Sequence, residues 1–281
     1  MLTMARRLAL SSHPGPTLAV TALATVLAIA LGFDPARCAL VAVTIFVGQL
    51  SIGWSNDWID AERDRSVGRR DKPVAQGLIG VGAVRTAAIV SAVVTVPLSF
   101  ALGALAGIAH LVLVASGWAY NLGLKRTALS VLPFIVSFGI LPAVVTLASP
   151  VPVFAAPWAV VVGAVFGVAI HFTNVLPDLA DDATTGVRGL PHRLGLVPSG
   201  ITAFLALALG AVVVLVGPWI ATGRAPGVFS WAACVVVLAI AVVGVRLVVI
   251  RPPSRLLFQL IIAAALIIAV QLALSGTSLT V

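Results

Sequence analysis

Charge is what this sequence has least of. Of its 281 residues only 9% are Asp, Glu, Lys or Arg, 60% are hydrophobic, and the mean hydropathy is +1.16. A soluble domain carries about a quarter charged residues, so this chain has too little polar surface to cover a globule in water, and lipid is its solvent. The two cysteines, Cys38 and Cys234, lie in or beside apolar runs, which excludes a disulfide framework or a CxxC metal site. No HExxH, GxSxG or phosphate-loop signature is present, which removes three large groups of soluble catalysts. The net charge of +8 has no soluble basic domain to sit on. Basic loops at a membrane surface explain it, and no nucleic-acid partner is expected.

Apolar runs fill most of the chain. About 20 apolar residues cross the hydrocarbon of a bilayer, and cutting at Gly, Pro and charged residues gives nine spans at 16–33, 37–57, 82–102, 104–122, 130–148, 154–176, 198–219, 229–250 and 256–276. The cut between Gly103 and Gly107 could alternatively lie within one very long helix. Arg6 and Arg7 precede the first run as they would in a signal peptide, but no small-residue cleavage site follows, so that run reads as the first helix. The expected fold is an all-α polytopic membrane protein, one domain over residues 1–281, with nine transmembrane helices. With the N-terminus inside, fifteen of the seventeen Lys and Arg residues fall on the cytoplasmic side and only Arg37 and Arg224 opposite, which places the C-terminus outside.

The acids are more concentrated still. Of nine, only Asp34 lies outside two segments, Asn56–Gly77 and Asn174–Gly195. A shift of 118 residues superposes Asn56, Asp60, Asp64, Gly68, Arg70, Pro73 and Gly77 on Asn174, Asp178, Asp182, Gly186, Arg188, Pro191 and Gly195. This internal repeat puts one copy after the second helix and one after the sixth, on the same face of the membrane, where repeat halves can share a central site.

In NDWIDAERD, Asn56, Asp60 and Asp64 stand at i, i+4 and i+8 and share a helix face, with Asp57 three residues before Asp60. NVLPDLADD repeats the pattern with Asn174, Asp178 and Asp182, adds Asp181, and carries Pro177, which should kink or unwind the helix locally. Carboxylates near a bilayer cost about 2.5–3.5 kcal/mol or more each unless offset. Nearby basic residues look too few and too remote in register to neutralise the stripe, so hard divalent cations are expected to do so. Mg²⁺ suits, because it binds through one or two carboxylates, waters and phosphate oxygens. Two facing stripes then read as a double Mg²⁺ clamp on a diphosphate. Solvated loop charges remain the plain alternative for any single aspartate, and a cation or proton pathway for the set.

Basic residues follow each stripe, in GRRDKP, GVRGLPHR and YNLGLKR. Arg70, Lys72, Lys125, Arg126 and Arg188 are the candidates for phosphate oxygens, with Asn56 and Asn174 beside them. Arg65, Arg251 and Arg255 are explained by the positive-inside rule alone. Tyr120, the only tyrosine, ends the fourth span as an interfacial anchor or a site residue; His110 and His171 read as polar packing residues and His192 as a flank of the site.

NDWIDAERD with GRRDKPVAQG, DLADDATTG with LPHRLG, and YNLGLKR together resemble the UbiA superfamily of intramembrane prenyltransferases over most of the chain. The resemblance implies nine helices around a central cavity under a cytosolic cap, with Mg²⁺ and a prenyl diphosphate held between the motifs. It implies Asn56, Asp57, Asp60 and Asp64 for one metal site and Asp178 and Asp182 for the other, with Asp181 alongside, and a Tyr and Lys pair at Tyr120 and Lys125. Asp60, Asp178, Tyr120 and Lys125 are then the catalytic candidates. The implied reaction ionises the donor's allylic C–O bond and alkylates an aromatic or other lipophilic acceptor, with no obligatory protein partner. Lys72-Pro73 stands where many members have Arg-Pro, and Gly189 where many have Thr or Ser. A UbiA-type terpene cyclase would use the same aspartates without an acceptor, and an ion or lipid transporter is the non-enzymatic alternative.

Overall fold

The structure, a computed structural model, describes residues 3–69, 72–176, 179, 186–250 and 255–280. Among these, helices of 16 residues or more are α1 (Pro14–Ala30), α2 (Pro35–Ile59), α3 (Val81–Ala101), α4 (Ala104–Leu122), α5 (Leu132–Leu147), α6 (Pro157–Val175), α7 (Leu196–Thr222), α8 (Val228–Ile250) and α9 (Arg255–Leu274). They occupy the expected run positions. The described residues hold no strand, only an isolated bridge between Ala155 and Thr280.

Six helices, α2, α3, α4, α6, α7 and α8, are long and apolar enough to cross a membrane, which makes this an integral membrane protein. The other three differ for visible reasons. A short helix, Met4–Leu10, meets α1 at a 71° bend, and only together do they pass as one span. The bend falls at His13, whose backbone is left-handed (φ 53°), just before Pro14 starts α1. α5 has 16 residues and carries Pro142 inside it, which removes a backbone donor from the helix ladder. The apolar part of α9, Gln259–Leu274, is likewise short. Between α3 and α4 the chain does break, at Gly103 with φ +117°.

Each helix packs on the next in sequence, and α9 packs back on α1, closing a ring. Small residues let the helices approach backbone to backbone, the usual association chemistry in lipid. On α6, a Cβ at Gly163 would stand 2.1 Å from the Phe138 carbonyl oxygen and one at Gly167 2.3 Å from that of Phe134, so α5 and α6 are locked in one register. At Gly53 of α2, a Cβ would stand 2.1 Å from the Ser12 carbonyl, which pins the α1 bend onto α2.

The two ends of α2 face different chemistry. Asp34 caps its start, accepting from the backbone of Ala36 and Arg37, and Arg37 donates 2.7 Å bonds to the carbonyls of Leu102 and Ala148, the residues that cap α3 and α5. One guanidinium thus satisfies two helix C-termini. The other end of α2, about 30 Å away at 1.5 Å per residue, carries the first acidic motif.

Candidate active site

α2 ends at Ile59, and Asp60 closes it with its N–H on the Asn56 carbonyl (3.0 Å). A second short helix, Ala61–Ser66, follows almost without a break, with Asp64 N–H on the Asp60 carbonyl (2.8 Å). Gly68 then ends it: its φ of +67°, the Arg69 N–H on the Asp64 carbonyl and the Gly68 N–H on the Arg65 carbonyl make a Schellman turn. That turn reverses the chain and brings Lys72 back over the motif.

Asp57, Asp60 and Asp64 are each no more than 2% exposed. Lys72 Nζ bridges Asp57 Oδ1 (3.0 Å) and Asp64 Oδ2 (2.8 Å) and donates to Asn56 Oδ1 (3.2 Å). Lys125, from the turn Leu124–Arg126 after α4, donates to both oxygens of Asp60 at 2.6 Å. Arg63 Nη2 lies 3.1 Å from Asp64 Oδ1 and 3.3 Å from Asp60 Oδ2, and His13 Nε2 lies 2.9 Å from Asp57 Oδ1. Three carboxylates thus meet two lysines and an arginine. The expectation that local basic residues could not neutralise this stripe is therefore wrong: helical register within the motif omits both the returning loop and the turn after α4.

The two lysines are held differently. Burial disfavours the charge of Lys72, but Asp57 and Asp64 outweigh it and leave the ammonium above its usual range. Burial acts on Lys125 with only Asp60 to offset it, and Arg63 and Lys72 add like-charge repulsion, so Lys125 lies below its usual range.

Part of this cluster forms the polar mouth of a cavity of about 430 Å³, a size suited to a small-molecule ligand, with Asp57 and Asp64 behind the lining. Asn56, Asp60, Arg63, Lys72 and Lys125 line the mouth, while Leu113, Phe134, Phe138 and Leu141 line the interior. Tyr120 sits in the wall between, its ring edge-on to Phe134 (5.1 Å between centroids) and to His171 (5.9 Å). Asn121 holds α4 to α2 by donating to the Ile52 carbonyl (2.9 Å) and Ser55 Oγ (2.8 Å) and accepting from Asn56 (3.1 Å).

Of the residues singled out in the sequence, Asn56, Asp57, Asp60, Asp64, Lys72, Tyr120 and Lys125 are brought together here, and Asn174 lines the same cavity. Arg126 and Arg188 are not: both are exposed and neither lines the cavity. Arg126 follows Lys125 in a tight turn, where successive side chains point in different directions, so only one of the pair can face inward. Arg70, Asp178, Asp181 and Asp182, with Pro177, lie outside the described residues. In the second motif, Gly186 (φ +76°) and Gly195 (φ +83°) share the left-handed backbone of Gly68 (φ +67°) and Gly77 (φ +69°), the positions that the repeat superposes on them. Gly189 has its own reason: a Cβ would stand 2.7 Å from the Lys125 carbonyl and 2.9 Å from Ser130 Oγ.

The sequence reading passed over His13, Arg63 and Asn121. Arg63 carried a signal, being three residues after Asp60, whereas His13 and Asn121 reach the site only through tertiary folding. His110 is a packing residue, its Nδ1 2.7 Å from Ser99 Oγ. His171 is buried with Nε2 3.0 Å from Ser130 Oγ and also lines the cavity, as does His192.

Among the described residues no three of His, Cys, Asp or Glu converge closely enough to hold a metal by themselves. The donors present, carboxylates of Asp57, Asp60 and Asp64 and the amide oxygen of Asn56, are all hard oxygen, which fits Mg²⁺ and its habit of completing its shell with water and phosphate.

A sequence model of the UbiA prenyltransferase family matches residues 17–262. Among curated proteins no sequence match is found. Solved structures share the fold: a UbiA homolog from Aeropyrum pernix K1 in its apo form (TM-score 0.70, 16% identity, 92% of this chain and 96% of that one), and a UbiA homolog from Archaeoglobus fulgidus bound to GPP and Mg²⁺ (0.69, 12%, 98% and 100%). A digeranylgeranylglyceryl phosphate synthase is similar to the same degree (0.69, 13%, 96% and 97%). With the family model covering most of its length and the fold shared end to end, the chain belongs to the UbiA prenyltransferase family.

Proposed function

We propose that this protein transfers a prenyl group from an isoprenoid diphosphate to an aromatic or other lipophilic acceptor within the membrane, in a Mg²⁺-dependent reaction that releases diphosphate. The observation that carries this reading is the join of two chemistries in one cavity: Asp60, Lys72, Lys125 and Arg63 at the mouth, tied to Asp57 and Asp64 in one buried, charge-balanced cluster, and an apolar interior behind it. The mouth suits a diphosphate and the interior an isoprenoid tail. Related folds hold GPP or DMAPP with Mg²⁺, which supports the same pairing here.

Asn56, Asp57, Asp60 and Asp64 would hold one Mg²⁺ and Asp178, Asp181 and Asp182 the other, with Asn174, which opens the second motif and lines the cavity, beside the diphosphate; the metal would offset the negative charge that builds on the leaving diphosphate. Lys72, Lys125 and Arg63 lie where they can exchange a carboxylate partner for a phosphate oxygen, so the cluster stays neutralised before and after the donor arrives. Arg70 is a further candidate for the phosphate oxygens. The allylic C–O bond breaks, both its electrons leave with diphosphate, and the cation is shielded from water by the apolar wall. Tyr120, at the junction of mouth and interior, offers its π system to that cation. A bond from the acceptor to the prenyl carbon and loss of the acceptor's proton complete the transfer. Nine membrane crossings, with the mouth and N-terminus cytoplasmic and the C-terminus outside, fit the distribution of basic residues.

The test is incubation of the purified protein with labelled geranyl, farnesyl or geranylgeranyl diphosphate and Mg²⁺, with and without a lipid extract as the acceptor source. Diphosphate release that requires the extract and yields a labelled adduct is the expected result. A cyclic hydrocarbon formed without extract would replace the transferase reading with a cyclase, and no release under either condition would reject both.

A further inference from the structure

Space continues behind the apolar end of the cavity. A second void of about 20 Å³, room for about one water, shares two wall residues with the first, Phe138 and Leu141. Two helices show that it extends the same axis. On α1 the first cavity is lined by Thr17 and Val20 and the second by Leu23 and Leu27; on α6 the first is lined by Val175 and His171 and the second by Phe166 and Gly163. In each case the second set lies one or two turns further from the polar mouth. On α5 the boundary falls at Phe138 and Leu141 themselves, and Pro142 belongs to the second void alone.

Phe138 is fixed at that boundary. Its carbonyl abuts Gly163, where even a methyl group would not fit, so its backbone has no room to retreat toward α6. Its ring lies nearly parallel to Phe134 (12°, 6.5 Å between centroids) and against Phe166 (5.6 Å). Leu141 closes the space beside it at 2% exposure.

We propose that Phe138, backed by Leu141, is the floor that limits the length of isoprenoid tail the site accepts, and that the space its ring occupies, joined to the void behind it, is where a longer tail would run. This rests on the reading of the cavity as a prenyl diphosphate site. With the diphosphate fixed among Lys72, Lys125 and Asp60, each added isoprene unit extends the tail toward Phe138, and the last one that fits meets the ring. Removing the ring joins the two spaces.

The test is kcat/KM for geranyl, farnesyl and geranylgeranyl diphosphates, supplied with Mg²⁺ and the lipid extract as acceptor source, with the wild-type protein, Phe138→Ala and the milder Phe138→Leu, each checked for a cooperative melting transition. Phe138→Ala should raise the geranylgeranyl-to-geranyl ratio about tenfold or more, the scale set by a few methylenes entering or leaving an apolar pocket. Phe138→Leu should raise it less, with KM carrying most of both changes. If the alanine variant fails to fold, the leucine variant alone decides. An unchanged ratio in variants that still use geranyl diphosphate overturns the floor. A folded wild-type protein that uses none of the three donors overturns the reading of the site on which the floor rests.

Discussion

Asp60 and Lys125 are the closest charged pair in the described site, 2.6 Å apart on both carboxylate oxygens and almost wholly buried. Removing one partner strands the other. Lys125→Met should cost about 3–5 kcal/mol, and the Asp60→Asn, Lys125→Met double variant should cost less than the sum of the single changes; unfolding in detergent measures both. With Lys72, Lys125 and Arg63 on the cluster, loss of an aspartate strands a cation rather than relieving repulsion between carboxylates. A pH effect follows as well. Lys125 sits below its ordinary 10.5 in the folded protein, so between its folded value and 10.5 the unfolded chain binds more protons, and this group makes the ligand-free protein more stable as pH rises through that window. Lys125→Met should remove that rise, and a melting series across alkaline pH reads it. The motif aspartates were legible because acids are so scarce in this chain. Their partners were not, because Lys72 arrives through a turn and Lys125 through a different helix.

Elements were legible wherever hydrophobic length, Gly and Pro agreed, as at the break between α3 and α4. What periodicity could not show is which glycines are contacts and which are turns. Gly163 and Gly167 are contacts, and their four-residue spacing is the signal that was available in the sequence. Gly68 is a turn, and its left-handed backbone costs a residue with a Cβ about 1–2 kcal/mol. Gly68→Ala should lower stability by that amount but weaken prenyl diphosphate binding further, because the turn it closes carries Lys72; KM against kcat separates the two effects. At the far end of α2, Arg37→Ala leaves two helix-end carbonyls without their donor and should lower the melting temperature with little change in donor KM, since Arg37 lies about 30 Å from the mouth along the helix.

Over the whole molecule, the helical runs were readable from the spans and a shared central site from the repeat, while the arrangement of helices around a cavity came only through the family resemblance; its closure by α9 on α1 and the bend at His13 depend on packing that no local pattern encodes. Sidedness has a direct check. Both native cysteines are buried, so single cysteines at the exposed positions Arg65 and Arg224 report on opposite faces; an impermeant maleimide added to intact cells should label Arg224→Cys and not Arg65→Cys. The central claim is that the aspartate and lysine cluster ionises a prenyl diphosphate with Mg²⁺. Its most direct measurement is diphosphate release by the purified protein, supplied with donor and lipid extract, with Mg²⁺, with the metal chelated, and in Asp60→Ala and Asp178→Ala. The account predicts release by the wild-type protein with Mg²⁺ alone. Release that persists after chelation, or in both variants, would contradict it.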